Sequence, residues 1–270
     1  MKIGRTIVRT DDGCELHVEQ EGSGPPLLLI SGLGGTADFW DPARPLLRDS
    51  FRLVLFDHRG TGGSSRPSGG YTIGRLATDT IAILDALKID RTHIVGHSTG
   101  GAIAQTLALD WTSRVERLVI SASWARADYR FRLLFETRLL MLQQAGAAAY
   151  AAFGQLLGYP DEWINKHEDA VKRAISRAEN ELASSEATKA RLRMLLEHDR
   201  LDDLHRIEAL TLVLGAPDDM IVPIAHSHAI GKRIVGAEVV EIAGGHFFPR
   251  TAPTLFASIV KGFLSERADA

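Results

Sequence analysis

A chain of 270 residues with 45% apolar side chains has the length and the material for one large α/β domain, or for a core carrying an inserted subdomain. A formal charge of −3 with no basic run leaves no electrostatic footprint for nucleic acid, and no apolar run approaches the ~20 residues that a membrane span requires. The N-terminus lacks the apolar segment of a signal peptide, so the expected location is cytoplasmic. The single cysteine, Cys14, excludes an internal disulfide and a cysteine-based metal site.

In chain order, residues 3–9 and 14–20 alternate around the turn signal Asp11-Asp12-Gly13 and predict an antiparallel hairpin. Short apolar runs at 26–30, 51–56, 92–95, 118–121, 210–214 and 238–242 predict buried strands. Helical patterns fill the intervals at 40–48, 74–88, 99–110, 224–234 and 252–266. Strands alternating with helices predict an α/β fold: a mostly parallel eight-stranded sheet with helices on both faces. Such a sheet places its site at the carboxyl ends of its strands. Residues 124–206 break the rhythm. They hold no convincing strand and predict helices at 127–145, 148–157, 168–183 and 186–198, with a break at Gly158-Tyr159-Pro160. We read them as a helical cap between a first core part, 1–123, and a second, 207–270. A separate helical interaction domain is the alternative.

The chemistry-bearing stretch is Gly96-His97-Ser98-Thr99-Gly100, between a predicted strand and a predicted helix. A sharp turn there forces the central serine into strained backbone space and lifts its Oγ out of the sheet. Glycines on either side let strand and helix approach without Cβ clashes, and the new helix points its N-terminal amides at the serine. Ser98 is the candidate nucleophile; the bland reading is a serine in a tight structural turn. A serine nucleophile needs a base and an orienting acid. His246 follows the last strand through Gly244-Gly245, a loop able to swing an imidazole over the sheet edge, and is the candidate base. The candidate acid lies on loop 216–223, where Asp218 and Asp219 both qualify. One should face the histidine while the other caps a turn or the next helix; Asp219 is favoured. Nucleophile, acid and base then follow in the chain order of a strand–turn–helix nucleophile elbow. For the oxyanion hole the candidates are the backbone N–H of Thr99 and that of Leu33, in the glycine-rich loop 31–35. His97 is expected to pack away from the turn. His226 and His228 lie two apart on a helix and face different directions, so no metal site is expected.

By these motifs the sequence resembles the α/β-hydrolase superfamily over nearly its whole length. Residues Asp57, Arg59, Gly60, Gly62 and Ser64 match the family's Asp-x-Arg-Gly-x-Gly-x-Ser loop, which the resemblance implies to be a structural brace. Pro223, four residues after Asp219, matches the family's acid loop and supports Asp219 over Asp218. Within the superfamily, stretches 30–35, 57–62, 124–126, 159–163 and 216–223 are similar to the 3-oxoadipate enol-lactonases and the aminoacrylate hydrolases of pyrimidine utilisation. One departure is Ser31-Gly32 where many members have His-Gly, so the loop's hydrogen bonding must differ.

The resemblance implies a cofactor-free serine hydrolase acting on a small-molecule ester, lactone, thioester, carbamate or amide through an acyl-enzyme. C–C bond hydrolysis and perhydrolysis use the same triad. A hydrolase-like ligand receptor is the reading of another class, separable by turnover. No metal, nucleotide or flavin is expected, and homodimerisation is left open. Phe39, Trp40, Trp124, Trp163 and Phe247 lie beside motif loops or in the cap and are candidate pocket residues, with ordinary core the equal alternative for each. Arg126, with Arg130 four residues on, is a candidate grip for a substrate carboxylate; a solvated, internally paired face is the alternative.

Overall fold

The computed structural model describes residues 3–181 and 185–265. Its strands are β1 Gly4–Arg9, β2 Glu15–Glu21, β3 Pro26–Ile30, β4 Arg52–Phe56, β5 Thr92–His97, β6 Val115–Ser121, β7 Leu210–Gly215 and β8 Glu238–Glu241. They form one 8-stranded sheet in the order β1-β2-β4-β3-β5-β6-β7-β8. The β1–β2 and β2–β4 pairs are antiparallel, and every other pair is parallel. This is the α/β-hydrolase architecture.

The helices are α1 Arg44–Leu47, α2 Ile73–Ala86, α3 Thr99–Asp110, α4 Tyr129–Gly158, α5 Asp161–Lys166, α6 Glu168–Glu181, α7 Ser185–Glu197, α8 Ile224–Arg233, α9 Phe248–Thr251 and α10 Pro253–Ser265. Their arrangement follows from the two-residue period of the strands. Leu28, Ile30, Ile94, Leu118 and Ile120 join Leu76 and Ile83 of α2 and Ile103 and Leu107 of α3 in one core. Their immediate neighbours Leu27, Leu29, Val95 and Val119 join Leu47 of α1 and Phe256 and Val260 of α10 in the other. A parallel sheet covered on both faces needs apolar residues at every strand position, which is why these strands read as unbroken apolar runs.

Several elements depart from expectation. The helix expected over 40–48 is a single 3-10 turn, Ala37–Trp40, followed by the short α1. Pro42 and Pro45 remove the N–H groups that a continuous helix would need. The helices expected over 127–145 and 148–157 run into one another as α4, broken at Gly146, whose φ of 83° leaves the helical region. Helices α5 and α9 are too short to show a helical period. The expected helix ends at Ala183 and Glu266, with the outermost residues of the first and last chain parts, lie outside the described residues.

Residues 124–206 hold α4–α7 between β6 and β7. Their two ends meet: Arg200 N–H donates to Ala125 O at 2.8 Å, and Arg126 and Asp199 form an isolated antiparallel bridge. Phe131, Phe135, Leu142, Tyr150, Leu192 and Leu195 from this stretch belong to the same apolar cluster as α3. Among the described residues, no helix is long and apolar enough to cross a membrane.

Candidate active site

Ser98 sits at the junction of β5 and α3 with φ 54° and ψ −116°, a left-handed conformation that an L-residue holds only under external constraint. The constraint is visible. Ser98 N–H donates to Ser121 O of β6 at 2.8 Å. Its carbonyl accepts from Gly101 N–H at 2.8 Å and from Ser123 Oγ at 2.8 Å. A Cβ on Gly100 would stand 2.1 Å from Ile30 O, and one on Gly96 would stand 2.2 Å from Gly100 O. The crossing of β5, β3 and α3 therefore has no room for a side chain at either position.

The loops after β7 and β8 bring Asp219 and His246 together. His246 Nδ1–H donates to Asp219 Oδ2 at 2.7 Å, with both side chains buried. The other carboxylate oxygen, Oδ1, accepts from the N–H groups of Ile221 and Val222, both at 2.8 Å. These two bonds fix the carboxylate plane and leave Oδ2 for the imidazole. Asp218 does different work. It accepts from Gly244 N–H at 3.2 Å and Gly245 N–H at 2.9 Å, which ties the acid loop to the histidine loop.

The His246 ring lies 5.0 Å from the ring of His97, centroid to centroid. His97 is fully buried, stacks on Phe39 at 4.7 Å, and places Nδ1 3.1 Å from Ser121 Oγ. Burial holds its pKa well below that of a free imidazole. It is a neutral wall beside the base, as the expectation of a packing role requires.

The loop 31–35 follows β3 and closes a tight turn, Gly35 N–H to Gly32 O at 3.0 Å. Its Gly32 stands against the nucleophile, so that a Cβ there would lie 3.2 Å from Ser98 Cβ. Among the described residues, neither Leu33 N–H nor Thr99 N–H has an intramolecular acceptor. The loop 57–64 braces it. His58 N–H donates to Gly35 O at 2.7 Å, and Asp57 Oδ1 accepts from Ala37 N–H at 2.8 Å. Arg59 anchors that brace through a two-pronged contact with Asp79, at 2.6 and 2.7 Å, both side chains fully buried. Ser31, where the family pattern often has histidine, is buried and its hydroxyl has no partner among the described residues.

Several candidate pocket residues lie elsewhere than expected. Trp40 and Trp124 are each 1% exposed and are core residues: Trp40 stacks on Phe256 and Trp124 packs at a tilt against Phe131. Trp163 is half-buried in a stack with Tyr159 at 3.8 Å and His167 at 4.2 Å. Phe247 does lie at the site, against His246, Phe39 and Tyr159. Of the two readings of Arg126, the carboxylate grip is corrected in favour of the internally paired face. Arg126 is ion-paired on the surface with Asp199 at 2.8 Å and Asp202 at 2.7 Å, and closes the neck of residues 124–206. It also precedes α4, so it shares no helical face with Arg130. Among the described residues, no group of three His, Cys, Asp or Glu side chains could hold a metal ion.

One residue was missed. Arg191 of α7 is buried and reaches both the 31–35 loop and the 57–64 loop. Its signal in the sequence was an arginine on the apolar stripe of an amphipathic helix, between the buried Ala187 and Leu195.

A family model described as alpha/beta hydrolase fold matches residues 25–253. The chain belongs to the α/β-hydrolase fold family. It is 36% identical over 257 residues to a putative carbamate hydrolase RutD of Caulobacter sp. strain K31, covering 94% of this chain and 96% of that protein. A protein of the same name from Pantoea ananatis strain LMG 20103 is 32% identical over 253 residues, covering 93% and 92%. Among solved structures, a hydrolase from Pseudomonas aeruginosa PA01 aligns with TM-score 0.88 at 30% identity, covering 97% of this chain and 99% of that one. The enol-lactonase from Burkholderia xenovorans LB400 shares the fold, with TM-score 0.89 at 24% identity and coverage of 97% and 100%.

Proposed function

We propose that the chain is a serine hydrolase of small acyl substrates, with Ser98 as nucleophile, His246 as base and Asp219 as orienting acid. The observation that carries this reading is the 2.7 Å contact between His246 Nδ1 and Asp219 Oδ2, on loops that open at the same end of the sheet as the strained Ser98.

The steps follow from the groups present. Asp219 accepts a hydrogen bond from His246 Nδ1–H, which fixes the tautomer that leaves Nε2 as the lone-pair nitrogen able to take the proton from Ser98 Oγ. Oγ attacks the substrate carbonyl, and the oxyanion is received by the N–H groups of Leu33 and Thr99. The imidazolium returns its proton to the leaving group, and water repeats the sequence on the acyl-enzyme. His97, kept neutral by burial, adds no second charge beside that imidazolium.

Residues 124–206 act in this reading as a cap over the strand ends and limit the substrate to a small molecule. Relatives named as carbamate hydrolases put carbamates beside esters and lactones as the substrate class. The test is a panel of small esters, lactones and carbamates with intact-mass detection of the adduct. A covalent acyl mass on wild type, absent from Ser98→Ala, and turnover of many equivalents are expected. Stoichiometric binding without turnover would replace the enzyme reading with a receptor.

A further inference from the structure

Two buried arginines of this chain hold carboxylates: Arg59 holds Asp79, and Arg44 holds Glu19 and Glu21. A third, Arg138, lies over the rings of Phe135 and Tyr150. Arg191 is held in neither way. It is 3% exposed and, among the described residues, no carboxylate lies within ion-pairing distance of it. Burial without a counter-charge pushes its pKa down to about 10. An uncompensated guanidinium weakens folding where an apolar side chain of similar volume would not. Its retention on the apolar face of α7 calls for another role.

Its contacts supply one. Nη2 donates to Leu33 O at 2.6 Å and Nη1 donates to Arg59 O at 2.8 Å. One planar group thus clamps the 31–35 loop onto the 57–64 loop. The approach is close enough that a Cβ on Gly35 would stand 2.7 Å from Nη2. The far half of the loop has other holds, since Gly35 O accepts from His58 N–H at 2.7 Å and from Thr61 Oγ1 at 2.9 Å. Among the described residues, the Leu33–Gly34 peptide has none but Arg191. Ser31 contributes nothing, as its hydroxyl has no partner among the described residues. The Leu33 N–H lies on the Gly32–Leu33 peptide, whose oxygen accepts from Gly35 N–H within the turn at 3.0 Å; Arg191 holds the next peptide of that turn by its carbonyl and so fixes how the whole turn sits against the 57–64 loop.

The other two loops are also bonded to the stretch 124–206. Arg130 donates to Met220 O in the acid loop at 2.6 Å, and Phe247 N–H of the histidine loop donates to Gly158 O at 3.0 Å.

We infer that Arg191 is a positioning residue: from the cap it sets the Leu33 N–H toward the oxyanion and makes catalytic competence depend on a seated cap. This rests on the proposed roles of Ser98 and Leu33. The geometry asks for two divergent N–H donors on one rigid fork, which a lysine cannot provide.

The experiment compares wild type, Arg191→Met and Arg191→Lys as full-length chains. The probes are p-nitrophenyl acetate, its carboxylate-bearing analogue p-nitrophenyl hemisuccinate, and a neutral p-nitrophenyl phosphonate whose phosphoryl oxygen occupies the oxyanion site. Arg191→Met should lose ~10²-fold in kcat on both esters, the scale of one lost oxyanion donor, with KM within about threefold. Phosphonylation of Ser98 should slow in parallel. Arg191→Lys, which restores one bond, should recover part of the loss and carries the test if the methionine variant does not fold. A loss confined to the hemisuccinate, or expressed in KM, would make Arg191 a substrate anchor and overturn the proposal, as would unchanged kcat. Phosphonate labelling separates the two readings. Adduct on Ser98 in both wild type and variant keeps the nucleophile while judging Arg191; no Ser98 adduct in wild type removes the nucleophile itself.

Discussion

Replacing Asp219 with asparagine exchanges one oxygen for an NH2 group, and the surroundings decide which oxygen is lost. Oδ1 accepts two N–H bonds, from Ile221 and Val222. An NH2 group there would face two donors, so the asparagine must keep its oxygen on that side. Its NH2 then faces His246 Nδ1, 2.7 Å away in the native arrangement. The imidazole can meet a donor only by accepting at Nδ1, which moves its proton to Nε2 and leaves no lone pair for Ser98. The expected loss is ~10⁴-fold in kcat, as for the same exchange in another triad, or about 5 kcal/mol of transition-state stabilisation. Asp218→Asn is the matched control. Its carbonyl oxygen still accepts from Gly244 and Gly245 N–H, bonded natively at 3.2 and 2.9 Å. Only the charge assistance of these bonds is lost, about 1 kcal/mol or a loss within tenfold. The assay is burst and steady-state hydrolysis of p-nitrophenyl acetate at pH 8, with near-UV circular dichroism to confirm packing. If Asp218→Asn proved the more damaging of two folded variants, the acid would be Asp218 and this reasoning would fail.

Ser98→Ala should lower kcat by at least ~10³-fold while leaving the melting temperature near that of wild type, because it removes a single oxygen and keeps the Cβ and the backbone turn. Differential scanning fluorimetry beside the ester assay checks both. Gly158→Ala places a Cβ 2.1 Å from the Phe247 ring. It should cost about 1–3 kcal/mol by overpacking and depress kcat, since Phe247 adjoins His246; urea titration and kinetics read the two effects, and a neutral result would show that the ring yields freely. The pH dependence comes from His198, whose pKa burial lowers to about 4. The unfolded chain binds this proton near pH 6.5 and the folded chain does not, so stability is full above pH 6.5 and falls as pH drops toward 4. About 2 kcal/mol should go between pH 7 and 5 on this account, with buried His58 and His97 acting in the same direction. Urea unfolding at the two pH values measures it. His198→Phe should flatten the profile over that window, and an unchanged slope would assign the acid lability to other groups.

The strands, the nucleophile turn and the family were legible because each is a local pattern. Leu27 to Ile30 alternate between two covered faces, and the crowding at Gly96 and Gly100 comes from residues close to the turn or on the adjoining strand. The short helices were not legible, since Asp161–Lys166 and Phe248–Thr251 span fewer than two helical turns. The shared face of Arg126 and Arg130 failed because spacing says which residues can share a helix face but not where the helix begins; α4 starts at Tyr129.

By itself, then, the sequence determined the order of strands and helices, the glycine-framed Ser98, and the two loops that carry the acid and the base. These depend on hydrophobic period, backbone sterics and chain order, all of which are written along the chain. Tertiary structure decided which aspartate meets His246, that Trp40 and Trp124 are core, and that Arg191 reaches Leu33 across 158 positions of sequence. Those are contacts between segments brought together only by burial of the sheet's two faces. A one-residue difference in a loop, as between Asp218 and Asp219, or a buried charge with no local partner, leaves no period in the sequence for the eye to find.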